Sequence, residues 1–323
     1  MAIAHHARRA FSAVLGFGTA NALCLILIGQ FGRQHILLDQ INALLSLLLP
    51  ALAVALAIAL ALRERAIAAL ALLGLVVGFY QFGGAALSRF DPRTVPADRS
   101  IRFVTLSAFH SNPDPQAIRR VIARENPDIA VLQETNGTAA QVVDTMLSDY
   151  HRVRSCKERY CTLTILSRWP ARRVKLHLTG SSPRPDHVLA IIDAPFGQFQ
   201  VMTVHLPRPY EGRAAPVLDY LSTILPTRPT PPLILAGDFN TATGSFGLNR
   251  FAARSGLHRH DGFIPTYPAN LTVPAFAGID HVFTDPRWSS AGCHRTAKAG
   301  SDHYGIACRL RLAPAPRAGP ATD

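Results

Sequence analysis

Five segments of this chain begin or end an apolar run with a residue that can carry a proton or hold a cation. "PDIAVLQET" ends in Glu134, and "FQVMTVHLP" ends near His205. "LILAGDFNTATG" passes from Leu233–Ala236 through Gly237 to Asp238 and Asn240. "GIDHVFT" carries Asp280, and "GSDHYGI" carries Asp302 and His303. Glu134 and Asp302 offer hard oxygen donors of the kind Mg²⁺ takes, a few carboxylates at a time with water completing its shell. Imidazoles beside carboxylates can hold or move protons near neutral pH. Asp238 and Asn240 are two residues apart, so beyond a strand end they point the same way. Alone, that segment reads as an ordinary Asp/Asn/Gly turn. Five strand ends of this kind in succession argue instead for a site built at the mouth of a sheet.

Strands and helices must hold these residues. From Ile101 the pattern runs strand, helix, strand: "IRFVTL", then "DPQAIRRVIARENP" as an amphipathic helix capped by Asp114, then "DIAVLQE" as a buried strand. Further strands are expected near 162–166, 172–178, 187–193, 199–205, 233–236, 279–284 and 304–311, with a helix over 211–224. "LPTRPTPP" reads as a loop, and residues 313–323 as a disordered tail. There is no internal repeat and no phosphate loop of the GxxxxGK type.

Ahead of this region, residues 10–32, 40–62 and 66–88 contain no Asp, Glu, Lys or Arg. Each stretch would reach about 35 Å as a helix, enough to cross a bilayer. Three in a row predict a membrane anchor over residues 1–88 rather than buried core helices or a cleaved signal. Residues 89–100 then form a linker reaching at most about 40 Å, which keeps the domain at 101–312 close to the bilayer. Arg8, Arg9, Arg63 and Arg65 flank one side of the spans and Arg33, Arg89 and Arg93 the other. That bias places the amino terminus inside and the domain outside, on the periplasmic or extracellular face of a bacterial inner membrane. Four cysteines outside the spans suit an oxidising compartment, with Cys156–Cys161 and Cys293–Cys308 as the expected pairs. No CxxC pair supports a zinc site. The only acids in residues 1–88 are Asp39 and Glu64, near span ends, so the spans read as an anchor and not a transport path. The chain carries +12 overall, of which residues 1–88 hold +3, leaving +9 beyond them, nearly all from Arg. Arg suits bidentate contact with phosphate.

At this point "GDFN" and the late "SDH", supported by "LQE" and "DHVF", resemble the endonuclease/exonuclease/phosphatase superfamily, whose members resemble DNase I and neutral sphingomyelinase. The resemblance covers about residues 100–311. It implies an α+β fold: a four-layer α/β/β/α sandwich of two packed mixed sheets flanked by helices, here preceded by three transmembrane helices. It also implies a Mg²⁺-dependent phosphodiesterase or phosphatase, with Mn²⁺ as a possible substitute. Glu134 and Asp302 would hold the metal, and Asp238 would orient or deprotonate the attacking water. Asn240 would donate to a phosphoryl oxygen, His303 would bind phosphate or act as acid/base with Asp280 fixing its tautomer, and His205 would be a second imidazole. His281 is expected to be structural. The implied substrate is a phosphoester of nucleic acid, lipid headgroup or small molecule; the lipid bilayer is the other partner, and no protein partner is indicated.

One position departs from the family pattern. The first strand normally ends in an Asn that helps hold the metal, with another Asn five residues later; "VTLSAFHSN" has Ser107 first and Asn112 second. The metal could bind through Glu134, Asp302 and water, or a different register could bring His110 near. The same departure gives footing to the alternative of a degenerate member that binds a phosphorylated ligand without turnover.

Overall fold

The computed structural model describes residues 2–87, 97–145, 149–157, 160–176, 185–208, 211–225 and 229–314. It opens with helix α1 (Ala2–Gln30). The short helix α2 (Ile36–Asp39) and a 3₁₀ turn at Gln40–Leu44 then lead into α3 (Leu45–Leu62), and α4 (Arg65–Leu87) follows. The runs His5–Arg33, Ile36–Leu62 and Arg65–Leu87 are long and apolar enough to cross a membrane, and they overlie the three charge-free stretches. Arg63 ends α3 in the left-handed region, and the turn there is tied to the start of α1 by Arg8 donating to Leu62 O and Ser12 to Glu64. Residues 31–44 and the end of α4 therefore lie together at the opposite end of the helix bundle. Most of the expected linker and tail lie outside the described residues (88–96 and 315–323); a 3₁₀ turn at Ala97–Arg99 precedes the first strand.

Two six-stranded mixed sheets follow. The first has the order β11 (Trp288–Lys298), β12 (Tyr304–Leu312), β1 (Ser100–Ser107), β2 (Ile129–Gln133), β4 (Tyr160–Ser167), β3 (His151–Lys157). The second has the order β5 (Ala171–Val174), β6 (Asp186–Ala194), β7 (Gly197–His205), β8 (Leu233–Asp238), β10 (Asp280–Thr284), β9 (His258–Arg259). Alternation along the strands divides the apolar residues into layers. Ile129 and Val131 of β2, and Ile234 and Ala236 of β8, join Phe103, Phe199 and Trp288 between the sheets. Ala130 and Leu132 face α5 (Gln116–Glu125) and α6 (Thr138–Thr145) in a second cluster. Leu233 and Leu235 face α7 (Ala214–Ile224) and α8 (Phe246–Ser255) in a third. These are the four layers that the resemblance implies.

Differences from the sequence reading have local causes. Asp114 does not cap α5: Pro115 occupies the cap position without a side-chain bond, and the Asp114 carboxylate pairs with Arg120, a full charge in place of a backbone amide. The strand expected over 172–178 ends at Val174. Strands β3 and β11 escape the pattern because they are sheet edges whose polar faces meet solvent, which hides the alternation. Both expected disulfides are present, Cys156–Cys161 and Cys293–Cys308.

The inner faces change character at one end of the sandwich. On β1, Ile101 and Phe103 give way to Thr105 and Ser107; on β7, Phe199 and Val201 give way to Thr203 and His205; on β8, Ile234 and Ala236 give way to Asp238. Gln133 ties the two sheets together there, donating to Thr105 Oγ1 at 3.3 Å and to Thr203 Oγ1 at 2.8 Å.

Candidate active site

Topology gathers the candidate residues at that polar end. Strands β1 and β2 are parallel, as are β7 and β8, with His205 paired in register with Asp238. Their carboxyl ends therefore stand side by side. β10 runs antiparallel to β8, which sets Asp280 opposite Asp238, and β12 runs antiparallel to β1, which brings His303 back to the same end. Gly237 permits the β7–β8 approach: it has φ +152°, and a Cβ there would lie 2.1 Å from Val204 O.

The side chains form an alternating row of carboxylates and imidazoles. His205 Nε2 lies 3.7 Å from Glu134 Oε1 and 3.7 Å from Asp238 Oδ2. His303 Nε2 lies 3.7 Å from the same Asp238 oxygen, and His303 Nδ1 is 2.9 Å from Asp280 Oδ2. Since Asp280 is the ring's partner at Nδ1, Nε2 is the nitrogen turned to the site. Asn240 sits at φ +47°, with its backbone N–H donating to Asp238 Oδ1 and one side-chain N–H to Leu206 O. Among the described residues its second N–H remains to donate. Glu134 is also left-handed, at φ +53°. Two non-glycine residues in that sparsely populated region are held where chemistry is expected, a frequent correlate of functional sites.

Electrostatics divide the acids. Burial pushes the Asp238 carboxyl up to about 6, reinforced by Asp280 and opposed by His303 and His205. Burial works to lower His303, but the Asp280 and Asp238 carboxylates outweigh it and raise the imidazole to about 10. Glu134 lies below its usual range although burial opposes this, because both the ring and the backbone N–H of His110 donate to its Oε2, at 2.8 and 3.1 Å.

The residues present fit a hard divalent cation. Asp238, Asp280 and His303 bring ligand-type atoms within 4.8 Å of one another, but the imidazole is held protonated between the two carboxylates, so it is the oxygen donors of this end that suit such a cation. Among the described residues Ser107 Oγ and Asp280 Oδ1 are buried without a hydrogen-bond partner, and Ser107 is the register partner of Gln133, the residue before Glu134. Asn112, by contrast, is saturated: it donates to Ala108 O and Ala299 O and accepts from Asp114 N, so it is a loop brace. Asp302 is half-buried beside His303 and raises its pKa, but its side chain accepts only from Ser301 among the described residues.

Sequence reasoning passed over two residues, and named His110 only as one that a different register could bring near the metal. His110 instead holds Glu134. The Tyr267 ring packs 5.2 Å from the His303 ring, with no sequence signal at all. Asp261 is the buried partner of His281, 2.8 Å away, while His281 Nε2 reaches Thr241 O. His281 is thus a structural histidine on the helix-facing side of β10, as its alternation with Asp280 predicts.

The family model described as Endonuclease/Exonuclease/phosphatase family matches residues 101–303. No curated protein matches the sequence. Among solved structures, an endonuclease/exonuclease/phosphatase family protein from Bacteroides thetaiotaomicron superposes with a TM-score of 0.54 at 15% identity, covering 66% of this chain and 98% of that one. One from Bacteroides vulgatus gives 0.52 at 17% identity, covering 66% and 99%. TDP2 of D. rerio, complexed with a single-strand DNA product, gives 0.51 at 16% identity, covering 66% and 99%. At these identities the likeness is one of fold.

Proposed function

The chain belongs to the endonuclease/exonuclease/phosphatase family, whose members are metal-dependent phosphoester hydrolases, and we propose that it is a membrane-anchored one requiring Mg²⁺ or Mn²⁺. The observation that carries this reading is the row Glu134–His205–Asp238–His303–Asp280, assembled from the ends of both sheets.

Glu134 and Asp302 are the proposed metal ligands; the depressed pKa of Glu134 keeps it ionised at any physiological pH. The bound cation would neutralise charge on the phosphoryl oxygens. Asp238, near 6, is largely ionised at neutral pH yet basic enough to take a proton from water, as a general base should be. His303, held cationic by Asp280, donates from Nε2 to a phosphoryl oxygen. Asn240 donates its second amide N–H to the same group, and His205 serves the phosphoryl or leaving-group oxygen between Glu134 and Asp238.

Two observations support a substrate presented at a bilayer surface, a lipid headgroup or incoming nucleic acid. Tyr267, against His303, belongs to a segment whose Leu271 and Val273 are 56% and 50% exposed. That segment shares a cleft with Ser46 and Leu47 at the start of α3, so the edge of the site stands level with the helix ends. The two disulfides and the flanking Arg bias support an outward-facing domain. The test uses the full chain in detergent with bis(p-nitrophenyl) phosphate, plasmid DNA and phospholipid vesicles, with and without Mg²⁺, beside Asp238→Ala. Metal-dependent turnover lost in the variant is expected. A folded wild-type protein inert with Mg²⁺, Mn²⁺ and Ca²⁺ would turn the reading to the phosphate-binding alternative.

A further inference from the structure

The helical bundle does more than tether the sandwich. Asp39, in the connection between α1 and α3, is 7% exposed and has its carboxylate turned into the sandwich. It accepts from Ser245 Oγ at 2.5 Å, from the backbone N–H of Phe246 at 2.9 Å and from that of Gly247 at 2.9 Å. Asn42 holds it from behind at 2.8 Å. Those amides belong to the first turn of α8 and have no carbonyl partner within the helix, and Gly247 N–H is shared with Ser245 Oγ at 3.1 Å; a carboxylate is favoured there by both hydrogen bonding and the helix dipole. Ser245, the cap of α8 from within its own chain segment, is thereby itself capped by a residue 206 positions away.

Residues 241–245 connect that cap to Asn240, so the segment which Asp39 holds is the direct continuation of "GDFN". A cavity of about 80 Å³ has Ile36, Asp39 and Ala43 on one wall and Asn240, Thr241 and Ala242 on the other. Two further ties act on the same loop. Gln81 of α4 donates to Gly244 O at 3.0 Å, and Arg259 bridges Thr243 O and Ala85 O at 3.3 and 2.5 Å. At Gly244 a Cβ would come within 3.1 Å of both Leu45 and Phe82, so glycine is what lets the bundle approach so closely.

We propose that Asp39 is a positioning residue of the site: by capping α8 it fixes the loop that presents Asn240 and Asp238, which makes the membrane bundle a working part of the active site. This rests on the phosphoesterase reading for its kinetic consequence but not for its structural one. Asp39 touches no reacting atom in this arrangement; it acts through residues 240–247.

The experiment uses the full chain in detergent or nanodiscs and compares wild type, Asp39→Ala and Asp39→Asn by hydrogen exchange and steady-state kinetics. In Asp39→Ala the amides of 245–248 should exchange at least about tenfold faster, while the edge strands β3 and β11 keep wild-type protection. The value of kcat should fall about tenfold or more with KM within about threefold, since a loop displaced by an ångström misplaces catalytic groups. Asp39→Asn, which keeps an acceptor oxygen, should recover part of both, and it serves alone if Asp39→Ala does not accumulate. Added to Asn240→Ala, Asp39→Ala should cost little more, because both act through one loop. Unchanged exchange at 245–248, a loss of protection spread over β3 and β11, or full multiplicative loss in the double variant would each overturn the proposal. If the wild type hydrolyses none of the substrates, the kinetic reading of the site falls, while the exchange comparison still decides whether Asp39 holds the loop.

Discussion

The helix bundle and the sandwich differ in how much apolar bulk they leave on the outside. In the sandwich the large apolar residues are inside: Phe103, Phe199, Phe283 and Trp288 are fully buried. In the bundle Ile26, Leu49 and Leu52 are buried as well, but they pack against small residues, with Ala59 and Ala71 fully buried and Gly74 and Gly78 so close to Leu52 and Leu49 that a Cβ would lie 2.6 Å from them. Many other bulky residues there point out, among them Val14 at 72%, Phe17 at 74% and Tyr80 at 83% exposed. Water drives large apolar groups together, whereas lipid does not, so helices in a bilayer associate through close backbone approach. The contrast supports a bundle and a sandwich adapted to different solvents within one chain.

The comparison can be broken at several points. Asp238→Ala should lower kcat by about 10³-fold or more while leaving thermal unfolding almost unchanged, since a buried acid with a raised pKa is not a packing residue; a collapse of the melting curve would assign Asp238 to the fold instead. Phe199→Ala, at the centre of the inter-sheet core, should destabilise by about 3–5 kcal/mol in denaturant titrations. Asp261→Asn removes one partner of a fully buried pair and should also cost about 3–5 kcal/mol. Burial opposes ionisation of Asp261, but His281 and its hydrogen bonds hold its pKa below the ordinary value. A depressed acid adds stability that is complete above about pH 4, where the unfolded carboxyl is ionised, and loses it as pH falls through the native value. The acid limb of the stability profile should therefore flatten in Asp261→Asn, read by thermal melts between pH 2 and 7. Gly74→Leu should overpack the bundle by about 1–3 kcal/mol in detergent, whereas Val76→Leu, on its 60%-exposed outer face, should stay within about 0.5 kcal/mol. Equal effects at 74 and 76 would contradict the small-inside packing.

Much of this was legible in the residue pattern. The three membrane-length helices, the strands that lead to Glu134, His205 and Asp238, and the two disulfides follow from apolar runs and from an even number of cysteines outside the spans. The edge strands β3 and β11 were illegible because half their residues answer to solvent. Within the site, "GDFN" announced itself, while His110 did not, since a histidine in a polar loop is ordinary until the fold sets it 2.8 Å from Glu134. Ser107, a departure from the family pattern at the metal, stands as a buried hydroxyl without a partner among the described residues, beside the strand that leads into Glu134.

What the sequence determined by itself were properties set over a few residues: which segments are strand or membrane-length helix, where the chain turns, and which side-chain types stand at strand ends. Local periodicity and backbone sterics decide these, and both can be read without a partner. Only the tertiary structure decided how those ends converge, which histidine serves Glu134 and which serves Asp261, and that Asp39 caps a helix 206 residues downstream. Such contacts arise when packed layers bring distant segments into register, and no spacing in the sequence encodes them.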